Sequence, residues 1–299
     1  MAKFAKDVDQ QAVAERQAAN VMKQVQGHIL SSVGTVRNYE ERLAIVAKHA
    51  NTEFKCGLRD LTIEQAHQYL SDRATEVGQK TLDMERQAIQ CMMQHVTGKL
   101  STTETLDVIK SEHQQILSSR SYSPEQAKMI ADAQTERNAL ATEIAHAAGL
   151  RAHELHTLQR IDERIPDPRP ALEEKFTGRE GERYTVEGKG GLVREVLIPK
   201  DLAERLEDRR LEQPLQITDR GVNYTSHYDI NGGNRWSSSF TTASNRALNW
   251  STGAHGLRHS YAQERMDELK KSMPHEKALE VVSQEMGHFR PEITEIYLR

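Results

Sequence analysis

The spacing of apolar residues predicts a run of amphipathic helices in the first part of the chain. After Ser and Thr residues that suit a helix N-cap, apolar side chains recur at three- and four-residue steps from about residue 32. A second helix is predicted to enter through Thr62, a third to follow Gly78, and a weaker fourth to cover residues 103–117. The inward-facing residues are Val36, Tyr39, Leu43 and Val46, then Ala66, Tyr69 and Leu70, then Leu82, Arg86, Ile89 and Met93. These segments predict a bundle of about four helices, closed by the polar linker "SSRSYS".

The pattern changes period in the second part of the chain. "YSPEQAKMIADAQTERNALATEIAHAAG" predicts one helix that starts at Ser-Pro-Glu and stops at Gly149. In "RYTVEGKGGLVREVLIP", β-forming residues alternate on both sides of a Gly-rich turn, which predicts a β-hairpin with Lys189 at its tip. Residues 200–211 and 238–249 are predicted to be helical, and "DRGVNYTSHYDINGGNRW" to be a long polar loop. We expect a mainly α protein with a small β-hairpin or sheet.

Length and composition suggest how these segments are grouped. A chain of 299 residues is long enough for two domains, and its 28% charged residues with few aromatics suit a helix-rich protein. We predict a leader helix or disordered arm over residues 1–27, a helical domain over 28–117, and a second domain over 118–299.

Charge and cysteine content exclude several classes of protein. The formal net charge of −4 argues against nucleic-acid binding through overall basicity, so any such binding must use local patches. Cys56 and Cys91 are far apart and have no metal-ligand spacing, which predicts neither a disulfide scaffold nor a zinc module. The sequence has no signal-peptide pattern and no apolar run of the roughly 18 residues that a membrane span needs. We expect a cytoplasmic protein without a membrane partner.

The residues that suggest chemistry lie in short motifs. "HGLRH" puts His255 and Arg258 three residues apart, so that their side chains share one face of a helix. "GH" gives His288 thirty residues later, and Tyr297 follows nine residues after that. A zinc site at His255 and His259 is not expected, because "HGLRH" lacks the glutamate base of the H-E-x-x-H pattern and carries an arginine whose positive charge would repel a metal ion. No Walker A motif is present.

Four motifs, taken in order, resemble those of the tyrosine recombinases, the phage-integrase family of site-specific integrases. They are "GLRAHEL", a hairpin "GKGG", "HGLRH" and "LEVVSQEMGHFRPEITEIYL". The resemblance covers residues 122–299, and residues 32–115 look like the family's core-binding domain. It implies a helical SAM-like DNA-binding domain followed by an α/β catalytic domain.

The resemblance also implies roles for individual residues. Arg151 and Arg258 correspond to the guanidiniums that hold the phosphate. A guanidinium suits this role because it is permanently charged and donates two hydrogen bonds at once. Tyr297 corresponds to the nucleophile that forms a covalent 3′-phosphotyrosine, and Lys189 to the acid that protonates the leaving 5′ oxygen.

The remaining polar residues divide into site residues and structural ones. By the same resemblance His255 would be an acid/base partner of the tyrosine, His288 a hydrogen-bond donor to the phosphate, and Glu154 a supporting residue. We interpret a further set as structural or as unlikely nucleophiles, namely His153, His156, His259, Tyr261, Tyr184 and Tyr224. No metal and no cofactor is expected.

The function that the resemblance implies is site-specific recombination or integration. Four protomers would bind duplex DNA at a specific site and exchange strands through a Holliday junction. Accessory DNA-bending proteins are possible further partners. Two alternatives stay open: a type IB topoisomerase that relaxes DNA with nearly the same residues, and a catalytically silent DNA-binding accessory protein. Many relatives continue after the tyrosine with a helix that docks on the next protomer, whereas only Leu298 and Arg299 follow here. For the sequence as given, either another element links the protomers or the chain is shortened.

Overall fold

The computed structural model describes residues 9–115, 117–169, 171–188 and 190–299, so that Lys189, at the predicted hairpin tip, lies outside the described residues. The chain divides into two units, Met1–Ile116 and Leu117–Arg299. Among the described residues, no helix has the length and apolarity needed to cross a membrane.

The first unit is helical. Its helices are α1 (Gln10–Met22), α2 (Val33–His49), α3 (Ile63–Ala74) and α4 (Gln79–Met92), and a π-helical turn continues α2 and α4 at Ala50–Phe54 and Met93–Thr97. The predicted caps are present: Ser32 accepts a hydrogen bond from the Thr35 amide, and Thr62 forms a capping box with Gln65. The segment 1–27, predicted as a leader or arm, contains α1, which contributes Ala14, Ala18, Val21 and Met22 to the core of this unit.

The fourth predicted helix is wrong. Residues 103–115 form no helix, and side chains of α4 and of the π-helical turn after it instead bind the backbone of this segment. Gln94 donates to the carbonyl of Glu104, Arg86 to that of Leu106, and Gln79 to that of Ile109. Backbone polar groups that find such partners do not need helical hydrogen bonds, which explains why an irregular segment is stable here.

The second unit begins with two helices where one was predicted. Helix α5 (Pro124–Asp132) ends before Thr135, and α6 (Glu136–Ala148) begins after it, because Thr135 is extended and takes the N-cap position. The three-stranded antiparallel sheet follows, with β1 (Gln159–Arg160), β2 (Glu182–Glu187) and β3 (Val193–Ile198) in that order. Tyr184 pairs with Val196 in the predicted hairpin, and both are buried.

A second hairpin occupies most of the segment predicted as a polar loop. Helix α7 (Lys200–Glu207) leads into β4 (Arg210–Asp219), which pairs with β5 (Val222–Tyr228). The turn consists of Arg220 and Gly221, at φ 50° and 79°, and two positive φ values give the twist that suits a two-residue hairpin turn. The loop prediction failed because both faces of this hairpin carry polar residues, which hides the alternation.

Four further helices complete the second unit: α8 (Gly233–Leu248), α9 (Gly256–Leu269), α10 (His275–Glu285) and α11 (Pro291–Glu295). The larger core gathers around Trp236, Phe240 and Tyr122, and a second core forms between α9 and α10. Tyr297 and Leu298, which follow α11, pack against this second core. The mainly α fold with a small β-sheet, predicted from the sequence, is confirmed.

Candidate active site

The predicted site residues converge on one side of the second unit. Arg151 follows α6, Arg258 lies in the first turn of α9 with His255 at the N-cap, His288 follows α10, and Tyr297 follows α11. Lys189 is the one predicted site residue outside the described part of the chain.

Glycine at the end of α6 brings the backbone close to α9. Gly149 has a φ of +59°, and a Cβ there would lie 2.8 Å from the ring of Tyr261. Its carbonyl accepts a hydrogen bond from Nη1 of Arg258. The helix stop recognised in the sequence therefore also holds one of the predicted phosphate-binding guanidiniums.

Glu154 is the buried centre of charge in the site. Its Oε1 accepts from Nη1 of Arg151 at 2.7 Å, and its Oε2 accepts from the Arg151 amide at 2.8 Å and from Nη2 of Arg194 at 2.7 Å. Nη1 of Arg258 lies 3.9 Å from the same Oε2. Although burial by itself raises the pKa of this carboxyl, the charges of these arginines outweigh burial and hold the pKa well below its usual range. One carboxylate thus faces three guanidiniums, which leaves an excess of positive charge for an anion.

Arg258 is completely buried. Nη2 donates to the carbonyl of Met286 at 3.1 Å and contacts Nε2 of His288 at 2.9 Å. Burial, followed by the positive charge of Arg151, lowers the pKa of Arg258 to about 10, so the guanidinium remains charged at neutral pH.

The contacts of His288 assign its tautomer. A guanidinium can only donate, so Nε2 of His288 accepts from Arg258, and the ring proton is on Nδ1. Nδ1 lies 3.0 Å from the hydroxyl oxygen of Thr294, which we assign as its acceptor. Burial and then the charges of the neighbouring arginines lower the pKa of His288 to about 3, which agrees with a neutral ring. The predicted role as donor to a phosphate requires that Nε2 gain a proton.

The ring of Tyr297 lies among three imidazoles and one guanidinium. The centroid distances are 5.0 Å to His288, 5.5 Å to His255 and 4.7 Å to His259. The Cζ atom of Arg258 is 5.6 Å from the centre of the tyrosine ring. In this arrangement the phenol ring covers the buried guanidinium.

His255 is suited to accept a proton. The residue is exposed in part, but desolvation by the protein around it, followed by the charge of Arg258, lowers the pKa of His255 to about 4. The ring is therefore neutral and free to take up a proton at neutral pH, but a pKa this low makes it a weak base until the charges around it change.

The start of the hairpin turn is close to Arg151. A Cβ on Gly188 would lie 3.5 Å from Oε1 of Glu154 and 3.9 Å from Nη1 of Arg151. Gly188 also closes the turn, because its amide donates to the carbonyl of Leu192 at 2.7 Å. The turn that carries Lys189 therefore begins beside the site, and the position of the lysine itself stays a prediction.

Two residues of the site were not identified from the sequence. Arg194 was passed over although it is in phase with the inward-facing Val196 and Ile198, and a charged residue in that register is the signal that would have found it. His259 was interpreted as structural, but its buried ring is close to Tyr297. His153 and His156, which were also interpreted as structural, pack against the ring of Tyr224.

No protein-family model and no curated protein matches the sequence. Solved structures do match it. The chain resembles a lambda integrase dimer bound to a COC′ core site, with 15% identity over 99% of this chain and 81% of that one and a TM-score of 0.61. The XerH site-specific recombinase bound to a palindromic difH substrate in a post-cleavage complex matches at 15% identity over 99% and 94%, with a TM-score of 0.54.

A third match is the Tn1549 transposon integrase in complex with transposon right end DNA, at 13% identity over 96% of this chain and 94% of that one, with a TM-score of 0.54. These structural neighbours are tyrosine recombinases and integrases and span nearly the whole chain. The chain therefore has their fold, as the motifs predicted.

Proposed function

We propose that the protein is a site-specific tyrosine recombinase that cleaves and rejoins duplex DNA through a 3′-phosphotyrosine at Tyr297. The observation that carries this proposal is the convergence of Tyr297, Arg258 and His288, with the Arg258–His288 contact of 2.9 Å beneath the phenol ring. Residues distant in sequence meet there in a positively charged site, and such a site stabilises the charge that develops on a phosphate under attack.

The reaction follows from these groups. The phenolic oxygen of Tyr297 attacks the phosphorus, the bond to the 5′ oxygen breaks, and the DNA is left with a free 5′ hydroxyl. The phenol proton passes to neutral His255, and the 5′ oxygen takes a proton from Lys189. Attack by a 5′ hydroxyl reverses every step, so rejoining needs no external energy source.

Binding of a phosphate requires a local rearrangement. Arg258 is fully buried and covered by Tyr297, so the phenol ring must move before the guanidinium can contact DNA. When Arg258 turns to the phosphate, Nε2 of His288 loses its donor. A proton on Nε2 then lets His288 donate to the phosphate, while the Thr294 hydroxyl rotates to donate to Nδ1.

We propose duplex DNA with a specific recombination site as the partner, and four protomers that exchange strands in pairs through a Holliday junction. The neighbours support the choice of DNA, since the matched lambda integrase, XerH and Tn1549 integrase structures are DNA complexes. The tetramer and any DNA-bending helper proteins follow from the family resemblance of the motifs.

The test is trapping of the covalent intermediate. A duplex library with a nick near each candidate site is incubated with the protein, and the products are separated on a denaturing gel. A protein–DNA adduct is expected with the wild type and none with Tyr297→Phe. Tyr224→Phe is the matched control, because this tyrosine lies in the same unit and should leave the adduct intact. An adduct that persists in Tyr297→Phe disproves the proposed nucleophile.

A second assay separates recombination from DNA relaxation. A recombinase joins two DNA molecules only where both carry the site selected in the trapping experiment. Relaxation of any supercoiled plasmid by the protein, without joining, identifies a topoisomerase instead. DNA binding without an adduct or relaxation identifies a silent binding protein.

A further inference from the structure

Arg194 is a buried arginine in a strand, outside the residues to which the motifs assign chemistry. It lies on β3, five residues after Lys189, and is only 3% exposed. A buried charge is costly unless it is paired, so the partners of Arg194 indicate what it does. Both Nη atoms have partners, and Nε has none among the described residues.

Those partners belong to two different parts of the site. Nη2 donates to Oε2 of Glu154 at 2.7 Å, and Nη1 donates to the carbonyl of Glu285, at the end of α10, at 2.7 Å. The stem of Arg194 also packs against Gly287, where a Cβ would lie 2.5 Å from Cδ of the arginine. Arg194 therefore connects the hairpin to the loop of Arg151 and to the turn that presents His288.

The position of Arg194 also decides which guanidinium Glu154 binds. Oε2 of Glu154 is 2.7 Å from Arg194 and 3.9 Å from Arg258. Arg258 instead uses Nη2 for the Met286 carbonyl and for His288. Because a carboxylate oxygen has few lone-pair positions, the arginine that occupies Oε2 keeps the other arginine from pairing fully with it.

We propose that Arg194 is a positioning residue: by occupying Oε2 of Glu154 and the Glu285 carbonyl, it keeps Arg258 available for the DNA phosphate and fixes the His288 turn beside it. This inference rests on the proposed function. Without Arg194, Oε2 loses its nearest cation and Arg258 turns toward it, away from His288. The excess positive charge of the site also falls by one.

The first test compares Arg194→Met with Arg183→Met in the trapping assay, as single-turnover rates over a range of DNA concentrations. Arg183 is the matched control, since it lies on the same sheet but pairs with Glu195 at the surface. Loss of a charge-assisted contact is expected to slow adduct formation by about 10- to 100-fold at saturating DNA, with a smaller change in apparent affinity. Arg183→Met is expected to react at the wild-type rate.

The second test asks whether Arg194 acts through Glu154. Arg194→Met is combined with Glu154→Gln, whose neutral amide cannot capture Arg258 as an ion pair. A positioning role predicts that Arg194→Met costs at least tenfold less in the Glu154→Gln background than in the wild type. An equal cost in both backgrounds overturns the inference. Arg194→Lys keeps the positive charge, but its single ammonium group cannot bind both Glu154 and the Glu285 carbonyl as the two Nη atoms do. This variant should recover part of the rate.

Circular dichroism and thermal unfolding are measured for each variant to check that it folds. If Arg194→Met does not fold, Arg194→Gln decides, because its amide retains a hydrogen-bond donor without the charge. A wild-type rate in Arg194→Gln contradicts the proposal, and a reduced rate relieved by Glu154→Gln supports it. An absence of adduct with the wild-type protein counts against the proposed function, whereas an adduct unaffected by Arg194→Met counts against the role of Arg194 alone.

Discussion

Single side chains in this site are held by contacts that also limit their chemistry. Glu154 illustrates this, because its two oxygens orient Arg151 and Arg194 while its charge attracts Arg258. His288 is another case, since its two nitrogens contact Arg258 on one side and Thr294 on the other. The protonation of the imidazole is thus determined by contacts in the folded protein, which the order of residues in a motif does not show.

Thr294→Val is predicted to weaken the reaction without unfolding the protein. The hydroxyl is the acceptor that fixes the Nδ1 proton of His288, and its loss should slow adduct formation by roughly tenfold, the value of one hydrogen bond. Nitrogen chemical shifts of the His288 ring should change from a single tautomer to a mixture. Thr294→Ser keeps the hydroxyl and should restore both. An unchanged ring spectrum in Thr294→Val would refute the tautomer assignment.

Acid is predicted to destabilise the second unit through its buried histidines. Burial, and then the charge of Arg120, lowers the pKa of His259 to about 4, below the ordinary value of 6.5 that the unfolded chain has. Between these two values the unfolded state binds the proton and the folded state does not, so stability is lost as the pH falls. The slope reaches at most about 1.4 kcal/mol per pH unit for this residue.

The measurement is the free energy of unfolding by urea at several values between pH 7 and pH 4. His259→Gln should flatten the profile, and His28→Gln, a change at an exposed histidine of the first unit, should not. A His259→Gln profile as steep as that of the wild type would show that other groups cause the acid sensitivity.

At the scale of helices and turns, prediction from sequence succeeded where a local rule determines the structure. Ser32 and Thr62 begin helices as N-caps, and Gly149 ends one in the left-handed region. It failed where partners distant in sequence decide the structure. Residues 103–115 are not helical because α4 side chains bind their backbone, and the hairpin of β4 and β5 has too little apolar alternation to be recognised.

Gly287→Ala is predicted to disrupt the turn between α10 and α11. The residue has a φ of +71°, and the added methyl group would meet the stem of Arg194 at 2.5 Å. Positive φ alone costs about 1 kcal/mol or more, and the clash adds to this cost and displaces both Arg194 and His288. We expect a lower unfolding temperature together with loss of the adduct.

Gly178→Ala separates the backbone strain of a positive φ from the clash with the Arg194 side chain. Gly178 has a similar φ of +76°, but no heavy atom lies within 4 Å of its would-be Cβ. This variant should be destabilised by backbone strain and still form the adduct. If Gly287→Ala is no less active than Gly178→Ala, the packing of Arg194 on the turn does not matter for the reaction.

At the scale of the whole molecule, the motif residues from Arg151 to Tyr297 come from four separate segments and meet at one place. These residues were predicted from the sequence because each lies in a short motif whose order resembles that of a known family, and their catalytic roles stay predictions. The contacts between them were not predictable, because Arg194 belongs to none of these motifs and Thr294 was assigned no role within the last one. Both reach the site only through the packing of β3 and α11. The placement of Lys189 remains a prediction from the hairpin pattern.

The net charge of −4 limits how the protein can bind DNA in the proposed reaction. A chain without overall basicity must bind DNA through local positive patches, and each phosphate contact in such a patch contributes about 0.9 to the slope of log affinity against log salt concentration. The Arg151 side chain is 23% exposed, whereas Arg258 is fully covered until Tyr297 moves. Arg151 is therefore positioned to contact a phosphate before the rearrangement.

In Tyr297→Phe protein, which binds without cutting, Arg151→Gln should weaken binding to all duplexes alike and lower the salt slope by about 1. Arg183→Gln, which removes a charge that is paired at the surface, should leave the slope unchanged. The slopes come from fluorescence anisotropy titrations at several salt concentrations. A slope unaffected by Arg151→Gln would mean that this guanidinium remains committed to Glu154 in the complex, and the phosphate would then have to be held by Arg258 without it.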